Sequence, residues 1–261
     1  MEIRDFYERI GWKLQNGIFE DAKLNENLSS FAQRYVSGVR MRVSDNLPKK
    51  GDLFLDIGSG PIQYKEYEIL SKYFKERHCV DLSATALEQA SIKLGTVHVK
   101  SYNVDFFDFE SGLKFDAICA INCLYHVNIE RQIDFVRKML THLTGNGVAL
   151  IVYSNPMAPS AIITRLLLKV RRKFQFWTTN RSSENPIYFE RHKRRIWRSL
   201  AKEFQVEIIP WRTLNPILEL RLLPKNRFGS IFLEILFWFE SKQFWLPFSE
   251  YYIVRITHRV K

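Results

Sequence analysis

The chain has 261 residues, 46% of them hydrophobic and 14% aromatic, which suits one large domain with a substantial core and excludes a disordered or collagen-like chain. Its net charge is +11, and thirteen Lys/Arg against four Asp/Glu between Met157 and Arg212 put an excess of nine in one late segment. Such a patch attracts phosphates, acidic substrates, anionic membranes or nucleic acid, and charge alone does not choose among them. The opening MEIRDFYERIGW lacks the apolar core of a signal peptide, and no apolar run reaches the length of a membrane span. The nearest approach, FGSIFLEILFWFE at 228–240, is interrupted by Glu234. The expectation is a cytoplasmic protein, with a peripheral contact at the inner membrane face as its variant.

In chain order, residues 1–47 read as a helical cap with a Gly/Asn break after FYERIGWKL. LPKKGD is a loop. Apolar runs at 53–58, 78–82, 98–105, 117–122 and 148–154 then read as strands, with helices between them in PIQYKEYEIL, SATALEQASIKLG and IERQIDFVRKMLTHL. TGNG at 144–147 is the turn before the fifth of these strands. AIITRLLLKVRRKFQFW reads as a basic amphipathic helix and RHKRRIWRSLAKEF as another. VEIIPW and YYIVRITH read as closing strands. Strands alternating with helices imply a parallel α/β sheet covered on both faces, with its ligand at the carboxyl ends of the strands. The stretches at about 156–190 and 213–249 interrupt that rhythm and are the expected substrate-facing insertions into a domain running from 48 to 261. The stripe Phe228, Phe232, Phe237 and Trp238 reads as core. Cys79, Cys119 and Cys123 lie in apolar runs without metal-ligand spacing. They read as buried thiols, and no metal site is expected.

The chemistry concentrates in LFLDIGSG, a strand running into an acid and then into Gly58, Ser59 and Gly60. Glycine lets the chain turn sharply and lets a ligand lie against bare backbone. Asp56 aims a carboxylate at the same place, which repels a pyrophosphate and attracts a cation. This favours S-adenosyl-L-methionine, with its ammonium and sulfonium, over a nicotinamide dinucleotide. Asp81, 21 residues beyond Gly60, stands near the spacing of a ribose-binding acid. It competes with a helix-capping role that Ser83 fills better. Tyr125 and His126 follow the fourth main strand, where an imidazole titrating near neutrality suits a general base. A histidine that only orders its loop is the competing reading.

In this order the motifs DLFLDIGSG, CVDLS, NVDFFDF, KFDAICAINCLYHV and LTGNGVALIVYS resemble those of class I S-adenosylmethionine-dependent methyltransferases over roughly residues 45–155. GIFEDA, SGPIQYKEY and LYHV look like a bacterial subgroup of uncertain substrate. The resemblance implies a Rossmann-like, seven-stranded, mostly parallel sheet with helices on both faces, its last strand antiparallel, under an N-terminal helical lid. It implies cofactor contacts from Asp56, Gly58, Ser59, Gly60, Tyr64, Asp81 and Leu82. Asp105 would accept from the adenine amino group, Phe106 would supply its amide or pack on the ring, and the backbone of Asn122 would run along the cofactor. Tyr7, Trp12 and Asp21 would belong to the lid. Two positions depart from the pattern: Ile62 stands at a usual glycine, and Asn146 replaces the glycine before Gly147. An Asn-Pro-Pro-Tyr-type sequence is absent at 122–125, which points away from exocyclic amines and toward an oxygen acceptor. The expected acceptor is a small molecule, sugar or glycan. A lipid-linked one ranks next, nucleic acid last for want of a base-recognition motif, and oligomeric state is left open. A catalytically silent S-adenosylmethionine-binding domain is the remaining alternative.

Overall fold

The computed structural model describes residues 3–95, 98–175 and 188–259. Its elements run α1 (Ile3–Phe6), a π turn (Tyr7–Gly11), β1 (Leu14–Gln15), β2 (Ile18–Phe19), α2 (Glu20–Asn25), α3 (Gln33–Asp45), β3 (Gly51–Ile57), α4 (Lys65–Glu68), β4 (Phe74–Val80), α5 (Ala84–Leu94), β5 (Val99–Tyr102), β6 (Phe115–Ile121), α6 (Gln132–Thr141), β7 (Leu143–Ser154), α7 (Pro159–Gln175), β8 (Phe204–Arg212), α8 (Pro216–Leu222), α9 (Arg227–Glu240) and β9 (Tyr251–His258). The main sheet has seven strands in the order β5-β4-β3-β6-β7-β9-β8. All neighbours are parallel except β9, which runs antiparallel to both β7 and β8. This is the expected mostly parallel, Rossmann-like α/β sheet.

The central strands are apolar on both sides because both faces are covered. Leu55, Ile118, Ile151 and Val254 face one layer, packed on Phe135, Val136, Met139 and Leu140 of α6. Their sequence neighbours Phe54, Ala117, Leu150 and Ile253 face the other, packed on Val36, Val39 and Val43 of α3 and Leu233 and Leu236 of α9. The period-two alternation of side chains thus divides the core into two layers. Ser83 caps α5 by accepting the Ala86 N–H at 3.1 Å, as expected.

Several expected elements take another form. The break at 14–19 is a small antiparallel hairpin, β1 against β2, with Asn16 and Gly17 both at positive φ, the pairing that tight hairpins favour. After the glycine loop no helix forms until Lys65. Ile62 is held at φ +52° and buried, and Tyr64 is extended, so PIQY cannot wind. RHKRRIWRSLAKEF forms two short 3₁₀ turns, Arg194–Arg198 and Leu200–Lys202, anchored by the buried Trp197 and Leu200. Of the aromatic stripe, Phe237 is partly buried beneath the Arg42 guanidinium, whereas Phe228, Phe232 and Trp238 are exposed. The residues after Gln175 expected to continue α7 lie outside those described, up to 187.

A buried polar network ties the leading segment to the far end of the sheet. Arg212 donates to Glu219 at 2.9 Å and to Glu26 at 3.3 Å, and Asn27 donates to Glu219 at 3.0 Å. It anchors residues 26 and 27, just beyond α2, against β8 and α8. The α1–α2 segment therefore starts from a fixed point.

Candidate active site

A cavity of about 710 Å³ opens at the carboxyl ends of β3, β4 and β6, where this topology concentrates ligands. Gly58, Gly60, Asp81, Leu82, Asp105, Asn122, Tyr125 and His126 all line it, as do Asp56, Ser59, Tyr64 and Phe106. Every residue expected at the site from the sequence therefore meets the same space. The late segments reach it too, through Thr164 of α7, Phe189, Arg191 and Ile217 of α8.

The reason for Asp56 differs from the expectation. Its buried carboxylate accepts from the buried guanidinium of Arg77 on β4. Arg77 also donates to the Tyr67 carbonyl at 2.8 Å and to Ser71 Oγ at 2.9 Å. The negative charge at Asp56 is thus matched inside the protein and does not stand free to attract a cation. A signal for this was present: Arg77, Cys79 and Asp81 share one side of β4 by alternation, and Asp56 pairs with Cys79 on that side of β3.

The glycines also answer to the protein itself. Gly58 and Gly60 both have positive φ, +66° and +55°. A Cβ at Gly58 would lie 2.7 Å from Cys123 Cβ, and one at Gly60 would lie 3.0 Å from the Trp12 indole. The bare backbone expected to face a ligand accommodates these side chains.

Asp81 ends its strand as expected and closes the glycine loop. Its carboxylate accepts the Gly60 N–H at 2.8 Å and the Ser83 N–H at 2.9 Å. Burial raises its pKa to about 6 in spite of these two bonds. Each oxygen keeps a lone pair to offer a hydroxyl. Asp105 caps the 3₁₀ turn Phe106–Asp108 by accepting the Phe107 N–H at 2.8 Å. Phe106 is buried in the core against Phe135, with ring centroids 4.7 Å apart. Tyr64 lies beneath the Arg40 guanidinium at 3.4 Å. Asn122 sits at φ +56°, a left-handed turn that asparagine tolerates.

His126 is oriented from both sides. Its Nδ1 lies 2.9 Å from the Tyr188 carbonyl, which can only accept, so Nδ1 carries the proton. Nε2 then presents its lone pair to the Tyr7 hydroxyl at 3.4 Å. Burial lowers the His126 pKa below its ordinary value, which keeps the ring neutral. Tyr125 is buried beside it, its ring 4.5 Å from that of Phe189, and burial raises its hydroxyl pKa. Tyr125 therefore walls the cavity with a neutral phenol.

The leading segment covers this site. Tyr7 stacks on Trp12 at 4.9 Å, and Glu8 Oε2 accepts from the Thr85 hydroxyl at 2.8 Å at the start of α5. The role of Glu8 was not visible in the sequence; a single acid in a charged helix carries no signal of its partner. Five side chains that line the cavity have a buried polar atom without a hydrogen-bond partner among the described residues: Arg77 and Arg212, whose guanidinium charges are already matched by Asp56 and by Glu26 and Glu219, and the uncharged Trp12 (Nε1), Gln63 (Oε1) and Asn122 (Oδ1). Unpaired buried polar atoms are costly, so the three uncharged ones mark groups built to meet a polar ligand. Donor, acceptors and the ribose-type acid fit S-adenosylmethionine, whose methionyl end carries both an ammonium and a carboxylate.

The fold has known counterparts. Magnesium protoporphyrin IX methyltransferase (ChlM) from Synechocystis PCC 6803, solved with bound SAH, superposes with a TM-score of 0.57 at 14% identity over 98% of each chain. The N-methyltransferase NodS from Bradyrhizobium japonicum WM9, in complex with S-adenosyl-L-homocysteine, gives 0.52 at 13% identity over 90% of each chain. A putative S-adenosylmethionine-dependent methyltransferase from Listeria monocytogenes gives 0.54 at 14% identity over 87% of this chain and 99% of that one. At these identities the likeness is one of fold. No curated protein matches the sequence. The family model described as a methyltransferase domain matches residues 28–209, well over half of the chain. With the motif order, the strand order and the site in agreement, the chain belongs to that methyltransferase domain family.

Proposed function

We propose that this methyltransferase transfers a methyl group from S-adenosylmethionine to an oxygen of a small molecule, sugar or glycan-type acceptor, with His126 as the general base. When bound, the cofactor supplies a methyl group already activated on a sulfonium. Asp81 would hold the ribose hydroxyls, with Leu82, Asp105 and the Phe106 backbone around the adenosine. Trp12, Gln63 and Asn122 would meet the methionyl end. Gly58, Ser59, Gly60 and Tyr64 shape that cradle, and Asp56 holds it in place by way of Arg77. The SAH bound in ChlM and NodS supports this choice of cofactor.

One observation carries the oxygen reading. His126 is neutral, its proton is fixed on Nδ1 by the Tyr188 carbonyl, and its Nε2 lone pair points into the cavity at the Tyr7 hydroxyl. An acceptor hydroxyl must lose a proton as it is methylated, and an oriented neutral imidazole whose Nε2 exchanges the long 3.4 Å contact with Tyr7 for the acceptor hydroxyl is suited to take it. The remaining demand on the protein is alignment and exclusion of water. Arg191, which donates to Ser154 Oγ at 2.6 Å and lies over the Phe189 ring, adds a positive charge to the acceptor side of the cavity. This suits a phosphorylated or nucleotide-linked sugar.

The test is transfer of isotope-labelled methyl from S-adenosylmethionine into fractions of a cell extract, followed by mass spectrometry of the labelled product. An O-methyl ether or ester supports the reading. Labelled N-methyl or C-methyl products alone would overturn it.

A further inference from the structure

Helix α7 carries five basic residues, Arg165, Lys169, Arg171, Arg172 and Lys173, and no acid. Over its described side chains, up to Val170, it meets the body through Ser160, Ala161 and Thr164 of its first two turns; every residue from 165 to 170 is exposed. Ile162, Ile163, Leu166, Leu167 and Val170 recur at helical spacing and form one apolar stripe. A globular protein buries such a stripe, yet Leu166 is 56% and Val170 54% exposed. Helix α9 repeats the feature. Its buried face (Gly229, Leu233, Leu236, Glu240) packs on the core, while Phe228, Ile231, Phe232, Ile235 and Trp238 form a second, outward stripe. Phe228 is 75% exposed and Trp238 56%. Arg221, Lys225, Arg227 and Lys242 flank it. The one exposed acid between 213 and 249, Glu234, is paired with Arg34 at 2.8 Å.

We propose that α7 and the outward face of α9 dock the protein on an anionic phospholipid surface. A stripe of large apolar side chains beside cations, with little negative charge, is the composition of a helix that lies in a membrane interface. Charge selects this occupant over a second copy of the chain, because two α7 helices would set the exposed Arg165 and Lys169 against their own copies with no acid in either helix to offset them. A soluble polyanion would leave both apolar stripes in water. The helix lies on the surface and does not cross it: no helix of the described residues is long and apolar enough to span a bilayer. Thr164 of α7 and Ile217 of α8 line the catalytic cavity, and α7 packs against α8. The α7 part of the docked face therefore borders the cavity rim. Resting on the methyl-transfer reading, this narrows the acceptor class to one held at the membrane, a lipid-linked sugar or lipid headgroup.

The experiment is co-sedimentation of the full chain with vesicles of phosphatidylcholine alone or mixed with phosphatidylglycerol. Partition onto the mixed vesicles should exceed that onto phosphatidylcholine by at least about tenfold and should fall as salt rises toward about 0.5 M. The double substitution Leu166→Glu with Val170→Glu should weaken partition by at least about tenfold, each change removing an apolar anchor and adding a repelled charge. Both sites are exposed and glutamate favours helix, so affinity for S-adenosylhomocysteine, read by calorimetry, should stay at the wild-type value. Phe232→Ser with Trp238→Ser tests α9 in the same way. Absence of wild-type partition onto the mixed vesicles overturns the proposal, as does partition that both double variants retain. So does a dimer in light scattering that α7 substitution dissolves while vesicles bind nothing. Vesicle binding is read without turnover. Failure to bind S-adenosylhomocysteine would instead count against the methyl-transfer reading.

Discussion

Replacing Asp81 by asparagine separates cofactor recognition from stability. The Asp81 carboxylate accepts two backbone N–H groups and is nonetheless raised to a pKa of about 6 by burial. A folded pKa above the ordinary 3.8 means that the folded state binds this proton more tightly. The associated stability is present below pH 3.8 and is lost as pH rises toward 6, by about 3 kcal/mol in full. Asparagine avoids that loss but turns an amide NH₂ toward one of the two N–H donors, at a cost of about 1–3 kcal/mol. The two terms offset, so the variant should unfold within about 2 kcal/mol of the wild type at pH 7. Cofactor affinity should behave differently. Loss of one hydrogen bond to a charged acceptor costs about 1.5–3 kcal/mol, a factor of about 10 to 150 in Kd. Wild-type affinity for S-adenosylhomocysteine should also fall as pH drops through about 6, where Asp81 takes up its proton, and Asp81→Asn should flatten that dependence. Calorimetry across this range, beside thermal unfolding, measures both. A variant Kd within about threefold of the wild type would refute the ribose assignment.

Asp56→Ala should leave Arg77 buried without its charge partner and destabilise the fold by about 3–5 kcal/mol in denaturant unfolding, with Arg77→Met restoring part of the loss. If Asp56→Ala were as stable as the wild type but bound cofactor poorly, Asp56 would be a cation receptor after all. His126→Ala should slow methyl transfer by about a hundredfold or more at unchanged cofactor affinity; unchanged turnover removes it from the base role. Because burial lowers the His126 pKa, the base stays unprotonated below its ordinary 6.5, so kcat should hold there and decline only at still lower pH. Gly58→Ala should cost about 2 kcal/mol or more in urea unfolding, since its φ is +66° and its Cβ would meet Cys123 at 2.7 Å; an unaffected midpoint would show that the turn relaxes freely.

The sheet and the location of the site were legible because both are written in local pattern. Alternating apolar runs gave the seven main strands, and Asp56, Gly58, Gly60 and Asp81 marked the strand ends where the cavity lies. What escaped depends on partners distant in the chain. Ile62 is a β-branched residue forced to φ +52° by packing, so no propensity announced that the helix after the glycine loop would be delayed to Lys65. The Arg77–Asp56 pair was implicit in strand alternation but required the register of β3 on β4. Trp12 against Gly60 and Tyr7 against His126 join residues 48 and 119 positions apart. Helix α9 is apolar on two sides, and periodicity reveals a stripe without saying which stripe faces the core.

The central claim is that the cavity above the glycine loop binds a sulfonium methyl donor rather than a dinucleotide. Calorimetric titration of the full chain with S-adenosylmethionine and, separately, with NAD tests it most directly. The account requires saturable, one-to-one binding of S-adenosylmethionine that Asp81→Asn weakens. Measurable affinity for NAD with none for S-adenosylmethionine would contradict it.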